Sequence, residues 1–503
     1  MKKVMPFILF FGVLAGLALG GCGKPTETSD SGVRFESADC KFDTPFNPKI
    51  ECGNLFVPED RNQPDSPMIQ IHVAIIKSNS KQPAPDPIVI LGGGPGGYTV
   101  GGVNYWINIF ESARKDRDLI IFDQRGVGYS EPELNCPEME EQFYQYQAQD
   151  ISLEEEIQLD TRAAQACHDR LVGEGVNLAA YTSAANAADV NDLRLALGYT
   201  EWNLYGGSYG TRLALTVMRD FPQGIRSVIL DSVCLPQADH YAELASNVER
   251  AFNLLFERCA AHPRCAEAFP DLQTVFYEVV ARLDEQPVTL SFNRPDTGER
   301  ADLVMNGRRL VGTFFSLLYS TGDIPGLPKL IYEIYNDRWG EFNSLIQWTK
   351  TSMEYLSEGM WISVDCGEEA QFSSPEAVEL ANTPVNPVIR EAMVFGPYFS
   401  ICSLWDASAA PKVESKAVSS DIPTLIFMGE LDPIHPPAWG VVAAKTLSKS
   451  QYFEFPNYGH GVLGEGSDGG NCSQKILDAF LSDPAAEVDA SCIGDLKPFF
   501  LTR

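Results

Sequence analysis

Apolar positions along this chain follow two alternating rhythms. Short, nearly all-apolar runs stand at Pro87–Leu91, Leu119–Phe122, Ser227–Leu230 and Thr424–Met428. Runs of that kind mark strands buried on both faces. Ile69–Lys77 alternates toward a strand, Trp202–Tyr205 is a short one, and Gln451–Phe455 is the last. Between them lie stretches with helical spacing: one carries Asp189, Leu193, Leu195 and Leu197, and another, Thr211–Asp220, carries Leu213, Leu215, Val217 and Met218 and stops at Pro222. A closing helix is predicted near Gln474–Leu481. Strands alternating with helices predict an α/β fold with a mostly parallel central sheet and helices on both faces. The alternation lapses from about Leu235 to Lys416, where helical candidates dominate at Ala238–Ala261, Leu272–Leu283, Arg309–Tyr319 and Leu327–Asn336. That segment reads as a large, mainly helical cap over the C-terminal edge of the sheet. The predicted organisation is therefore core at 39–234, cap at 235–416 and core again at 417–503.

The first residues stand apart from this pattern. Lys2 and Lys3 precede an apolar run, Val4–Leu19, with the form of a secretory signal and too short for a convincing membrane span. It ends Leu19-Gly20-Gly21-Cys22, which resembles a bacterial lipobox; Cys22 is then the lipidated N-terminus after removal of residues 1–21. The polar stretch that follows, within 22–38, is expected to be a flexible tether. Both features put the protein outside the cytoplasm on a lipid anchor, on the periplasmic side or at the cell surface. The cysteines agree: twelve in all, so eleven besides Cys22, which suits an oxidising compartment. Sequence proximity pairs Cys40 with Cys52, Cys136 with Cys167, Cys259 with Cys265, Cys366 with Cys402 and Cys472 with Cys492, leaving Cys234 as a buried thiol. No cysteine or histidine group has zinc spacing, so no metal is indicated. The 503 residues carry 38 basic and 68 acidic side chains, a net charge of −30. Such a surface repels nucleic acid and anionic lipid and favours cationic ligands such as peptide amino termini.

The candidate chemistry centres on Leu204-Tyr205-Gly206-Gly207-Ser208-Tyr209-Gly210, a strand running through a Gly-x-Ser-x-Gly turn into a helix. A turn that sharp needs neighbours without side chains, hence Gly206 and Gly210, and it presents Ser208 at a helix N-terminus, where negative charge is favoured. This is the context of the nucleophile elbow of an α/β-hydrolase. A serine hydroxyl needs a base, and the base needs an orienting carboxylate; on that fold they follow in the order Ser, Asp or Glu, His. Asp432 and His460, each in a loop after a strand, fill that order; Asp231 is the rival acid and His435 the rival base. The oxyanion requires two N–H donors, expected from Tyr209 and from the loop Gly92–Gly97, with Gly94 preferred over Gly93. A phosphate cradle is the other reading of that loop, but it lacks the Gly-x-Gly-x-x-Gly context.

Taken together, Gly93-Gly94-Pro95-Gly96-Gly97, Asp123-Gln124-Arg125-Gly126, the serine turn, Gly429-Glu430-Leu431-Asp432-Pro433 and Gly459-His460-Gly461 resemble the proline iminopeptidase family. The match is best with its exported, tripeptidyl-aminopeptidase-like branch. The resemblance implies a serine exopeptidase that releases residues from free peptide N-termini without a cofactor, with Ser208, Asp432 and His460 as its triad and Arg125 as a structural brace. It departs from the family at Gly92, where proline iminopeptidases usually carry a histidine. Asp365-Cys366-Gly367-Glu368-Glu369 resembles the cysteine-plus-acid segment of the exported branch. Glu368, ahead of Glu369 and Asp365, is accordingly expected to hold the substrate's ammonium group. Two other functions stand beside this one: a carboxylic-ester hydrolase on the same triad, and a non-catalytic binding protein on a hydrolase fold.

Overall fold

The computed structural model describes residues 32–43, 48–294, 297–352, 356–393, 396–466 and 470–502. The leader and Cys22 lie outside the described residues. Among the described residues there are eleven strands: β1 (Arg34–Ala38), β2 (Ile50–Pro58), β3 (Met68–Ile76), β4 (Ile88–Leu91), β5 (Leu119–Phe122), β6 (Trp202–Gly207), β7 (Ile225–Asp231), β8 (Val288–Asn293), β9 (Arg300–Met305), β10 (Thr424–Gly429) and β11 (Ser450–Phe455). Nine form one sheet in the order β1-β2-β3-β5-β4-β6-β7-β10-β11, while β8 and β9 make a separate hairpin. From β5 to β11 neighbouring strands are parallel. The β1, β2 and β3 edge is antiparallel. Every residue of β4, β5 and β10 is buried, as continuous apolar runs require when helices cover both faces.

Two boundaries differ from the sequence expectation. Arg34–Ala38, assigned to the tether, is the edge strand of the sheet, paired with β2 from Arg34 opposite Phe56 to Ala38 opposite Cys52. Its residues are mostly exposed, so its composition is polar, but Phe35 packs over Gly53, where a Cβ would collide with the ring. The Cys40–Cys52 disulfide closes the pair. The second difference concerns the insertion after β7, which divides into two parts. The helices His240–Ala261, Leu272–Glu285, Gly307–Tyr319 and Leu327–Tyr335, with the β8–β9 hairpin, enclose a core of their own around Phe252, Phe276 and Phe314. The later helices Glu358–Glu368 and Gly396–Cys402 return to the sheet, where Met360, Ile362, Val364 and Ile401 share a core with Leu204 and Leu213. Cys366–Cys402 staples these two together.

The loop after β5 braces the sheet from within. Arg125 is fully buried, and its guanidinium forks onto Asp189 at 2.7 and 2.8 Å while Nη1 donates to the carbonyls of Glu59 and Ala180. Arg125→Met leaves those carbonyls unpaired and Asp189 with Arg61 alone. It is expected to cost about 3–5 kcal/mol in equilibrium urea unfolding; a loss under about 1 kcal/mol would contradict the bracing role.

Candidate active site

Ser208 directly follows β6 and caps the helix Tyr209–Asp220, with φ 57° and ψ −129°. A non-glycine residue is strained there, so the surroundings must impose it. They do so by close backbone approach: a Cβ at Gly206 would strike the Gly210 carbonyl, and one at Gly210 would strike that of Leu91. The Ser208 N–H is held by the carbonyl of Asp231 at 2.9 Å. The glycine loop after β4 passes directly beside the serine. A Cβ at Gly93 would lie 3.2 Å from Ser208 Cβ and 3.8 Å from its Oγ, so Gly93 is the loop residue against the nucleophile, with Gly94 next at φ +113°. Asp123 fixes the far end of this loop by accepting the N–H groups of Thr99 and Val100, and Gln124 Nε2 donates to the Gly92 carbonyl.

The structure brings His460 and Asp432 together, with His460 Nδ1 2.9 Å from Asp432 Oδ2. Asp432 is wholly buried, and its other oxygen accepts the N–H groups of Ile434 and His435. Burial alone would raise its pKa, yet the neighbouring histidines and these donors hold it below the usual carboxylate value. Burial works in the other direction on His460, and there the Asp432 carboxylate outweighs it, raising the imidazole above its ordinary 6.5. With Nδ1 taken by Asp432, Nε2 is the nitrogen free to exchange a proton.

The two rivals have other tasks. Asp231 accepts the N–H groups of Val462 and Leu463 and the Tyr205 hydroxyl, so it holds the backbone of the His460 loop, not the imidazole. His435 gives Nδ1 to the Ser232 carbonyl at 3.0 Å and packs its ring 5.0 Å from that of His460. Burial and the adjacent His460 push its pKa down to about 4, which keeps a second charge away from the base. Tyr319 was not legible in the sequence as part of the site. Its carbonyl accepts the His460 N–H at 2.8 Å and its ring lies 4.8 Å from the imidazole, tilted by 57°. The contact joins the end of a cap helix to a loop 141 residues later (460 − 319), and no local pattern announces it.

Among the acids, Glu368 requires a correction. It is buried, one oxygen accepts the Ser183 N–H, and the other accepts the Ser183 hydroxyl and faces Arg212 Nε at 3.3 Å. Its oxygens are occupied within the fold, so it is not placed to receive an ammonium group. Arg212, on the first turns of the helix after Ser208, also pairs with Glu369, which lies 3.9 Å from His240 Nε2. Asp365 accepts the Tyr241 hydroxyl and, through burial, has its pKa raised to about 7. Glu369 and Asp365 keep partial exposure. Nearby, Cys234, His240 and His435 each place a potential ligand atom within 4.8 Å of the others, a grouping that sequence spacing did not suggest. Their polar atoms are engaged in the fold: His240 Nε2 lies 3.1 Å from the Leu235 carbonyl and His435 holds Ser232. Cys234 is the free cysteine among the described residues, the other ten forming the five expected disulfides.

A serine on a strained elbow and a paired histidine and aspartate in loops after later strands define a hydrolase site. Residues 86–467 match the α/β-hydrolase fold family, and the chain belongs to it. More particular kinship lies with peptidases. Serine protease Hip1 of Mycobacterium tuberculosis is 25% identical over 522 residues, covering 95% of this chain and 96% of that protein. The tripeptidyl aminopeptidase of Streptomyces lividans is 28% identical over 231 residues, 44% of this chain and 42% of its own. A proline iminopeptidase of Xylella fastidiosa is 29% identical over 147 residues, 29% of this chain and 32% of its own. Five disulfides suit an extracytoplasmic protein, and no helix among the described residues is long and apolar enough to cross a membrane.

Removing the Glu368 carboxylate tests its reassignment. Glu368→Ala strips a buried partner from Arg212 and should lower stability by about 3–5 kcal/mol in urea unfolding, whereas a purely substrate-holding acid would leave the unfolding midpoint in place.

Proposed function

We propose that this chain is a serine exopeptidase that cleaves residues from the free N-terminus of peptides through an acyl-enzyme on Ser208. The observation that carries the reading is the His460–Asp432 pair, 2.9 Å apart, in loops stitched to the strand end that also holds Ser208. His460 Nε2 takes the proton from Ser208 Oγ as the oxygen attacks the scissile carbonyl, and the N–H groups of Tyr209 and of Gly93 or Gly94 receive the oxyanion. The imidazolium then protonates the departing amine as the C–N bond breaks. A water molecule, deprotonated by the same histidine, releases the acyl group and restores the serine. Glu369 and Asp365, partly exposed and each with one oxygen outside its bond to Arg212 or Tyr241, are the acids to which we assign the substrate's ammonium group. The peptidase relatives support this choice over an ester hydrolase. The segment through Cys22 we assign to export and lipid anchoring, which would hold the enzyme at a bacterial membrane facing away from the cytoplasm.

The first test is a chromogenic aminoacyl or short-peptide amide beside its N-acetylated twin, with a short-chain ester as third substrate. Cleavage of the free-amine amide alone is expected. Ester cleavage indifferent to a free amine would replace this reading with the esterase one. Ser208→Ala should abolish turnover and leave the circular dichroism spectrum unchanged.

The pH profile is a second test. Protonated His460 cannot accept the serine proton, so activity is lost as pH falls through its pKa, which Asp432 holds above the ordinary imidazole value. The acidic limb of kcat/KM is therefore expected above 6.5. A limb below that value would contradict the pairing as described.

A further inference from the structure

A cavity of about 610 Å³ opens between the cap helix Gly307–Tyr319 and the helix Pro137–Gln147. That size falls within the range of about 300–1,000 Å³ found for ligand sites. Its wall includes Tyr319, whose carbonyl holds the His460 N–H and whose ring lies tilted against the imidazole, so one residue joins the cavity to the His460 loop. Much of the lining is apolar, with Phe143, Tyr146, Met305 and Phe315 contributing. Among the polar residues that also line it, two carry buried atoms without a hydrogen-bond partner. Gln147 is 1% exposed, and neither its Oε1 nor its Nε2 has a hydrogen-bond partner. Arg308 gives Nη1 to Glu156 at 2.6 Å, while its buried Nη2 has none.

Buried donors and acceptors left unpaired are costly and rare, and an amide with both ends open is matched by a group that offers both an N–H and a C=O. A peptide unit is such a group; the hydrocarbon chain of a simple ester is not. The catalytic imidazole hands its proton to the departing amine, and a cavity that touches the His460 loop through Tyr319 is accordingly assigned to the leaving side of the scissile bond. We propose that this cavity binds the peptide segment that follows the scissile bond, with the Gln147 amide paired to its main chain and the apolar wall taking a large apolar side chain. The inference rests on the peptidase reading and specifies what that enzyme selects on its leaving side.

Gly312 gives the cleanest probe. It lies on the cavity face of its helix, and a Cβ there meets nothing within 4 Å, so Gly312→Trp can fill the space without disturbing backbone. The experiment compares two substrates of the full-length protein that share an acyl part: one releases aminomethylcoumarin and the other the peptide Phe-Leu-Ala. Gly312→Trp is expected to lower the preference for the peptide, as a ratio of kcat/KM values, by about tenfold. Gln147→Leu, close in volume, should lower it in the same direction and serves if the tryptophan impairs folding. An unchanged ratio in both variants overturns the proposal. Calorimetric titration of Phe-Leu-Ala into the Ser208→Ala protein separates this from the catalytic question. Binding that Gly312→Trp or Gln147→Leu weakens supports the cavity even if neither amide is turned over, and absence of binding overturns it.

Discussion

The end of β7 is where the site is tied together. Asp231 uses its carbonyl to hold the Ser208 N–H and its carboxylate to hold two successive N–H groups of the loop after His460. Ser232, with φ 60°, takes the Gly461 N–H on its hydroxyl and His435 Nδ1 on its carbonyl. One dipeptide therefore positions Ser208, the His460 loop and His435. Such a carboxylate is expensive to bury, and burial raises its pKa. What it secures is relative placement: the reacting groups of a serine hydrolase lose much of their effect when displaced by an ångström.

Around that point the remaining elements act as spacers and walls. The Asp123 loop holds the glycine loop to the sheet, and the glycine loop is in turn covered by the start of the helix Glu358–Glu368, whose Ser357 N–H reaches the Gly96 carbonyl at 2.9 Å. The other end of that helix delivers Glu368 and Glu369 to Arg212 on the elbow helix. The glycine loop and the helix after Ser208 are thus braced by the same element, and the disulfide at Cys366 fixes it.

Much of this was written in the chain in local terms. β4 and β5 are wholly apolar, and β10 is apolar from Leu425 to Met428, because both their faces are covered, and that leaves an unmistakable run. The serine turn, the acid and the histidine are legible because each sits in a loop after a strand and must follow a fixed order. Disulfides closing short loops could be paired by proximity. What escaped was non-local or masked by polarity. Arg34–Ala38 is polar because it is an edge strand. Glu368 looks like a surface acid until Arg212, 156 residues earlier, is seen beside it (368 − 212). The helix Pro137–Gln147, sequence PEMEEQFYQYQ, has no clear apolar stripe, so nothing marked Gln147 as buried.

The five disulfides among the described residues span separations of 6 to 36 residues, and none of them links the Phe252–Phe276–Phe314 core of the cap to the sheet. The roof is attached by chain connections and by non-covalent contacts such as Arg250 on the Glu430 carbonyl at 2.7 Å. Reducing the disulfides would therefore leave the roof's hold on the floor as it is, including the Tyr319 carbonyl that meets the His460 N–H.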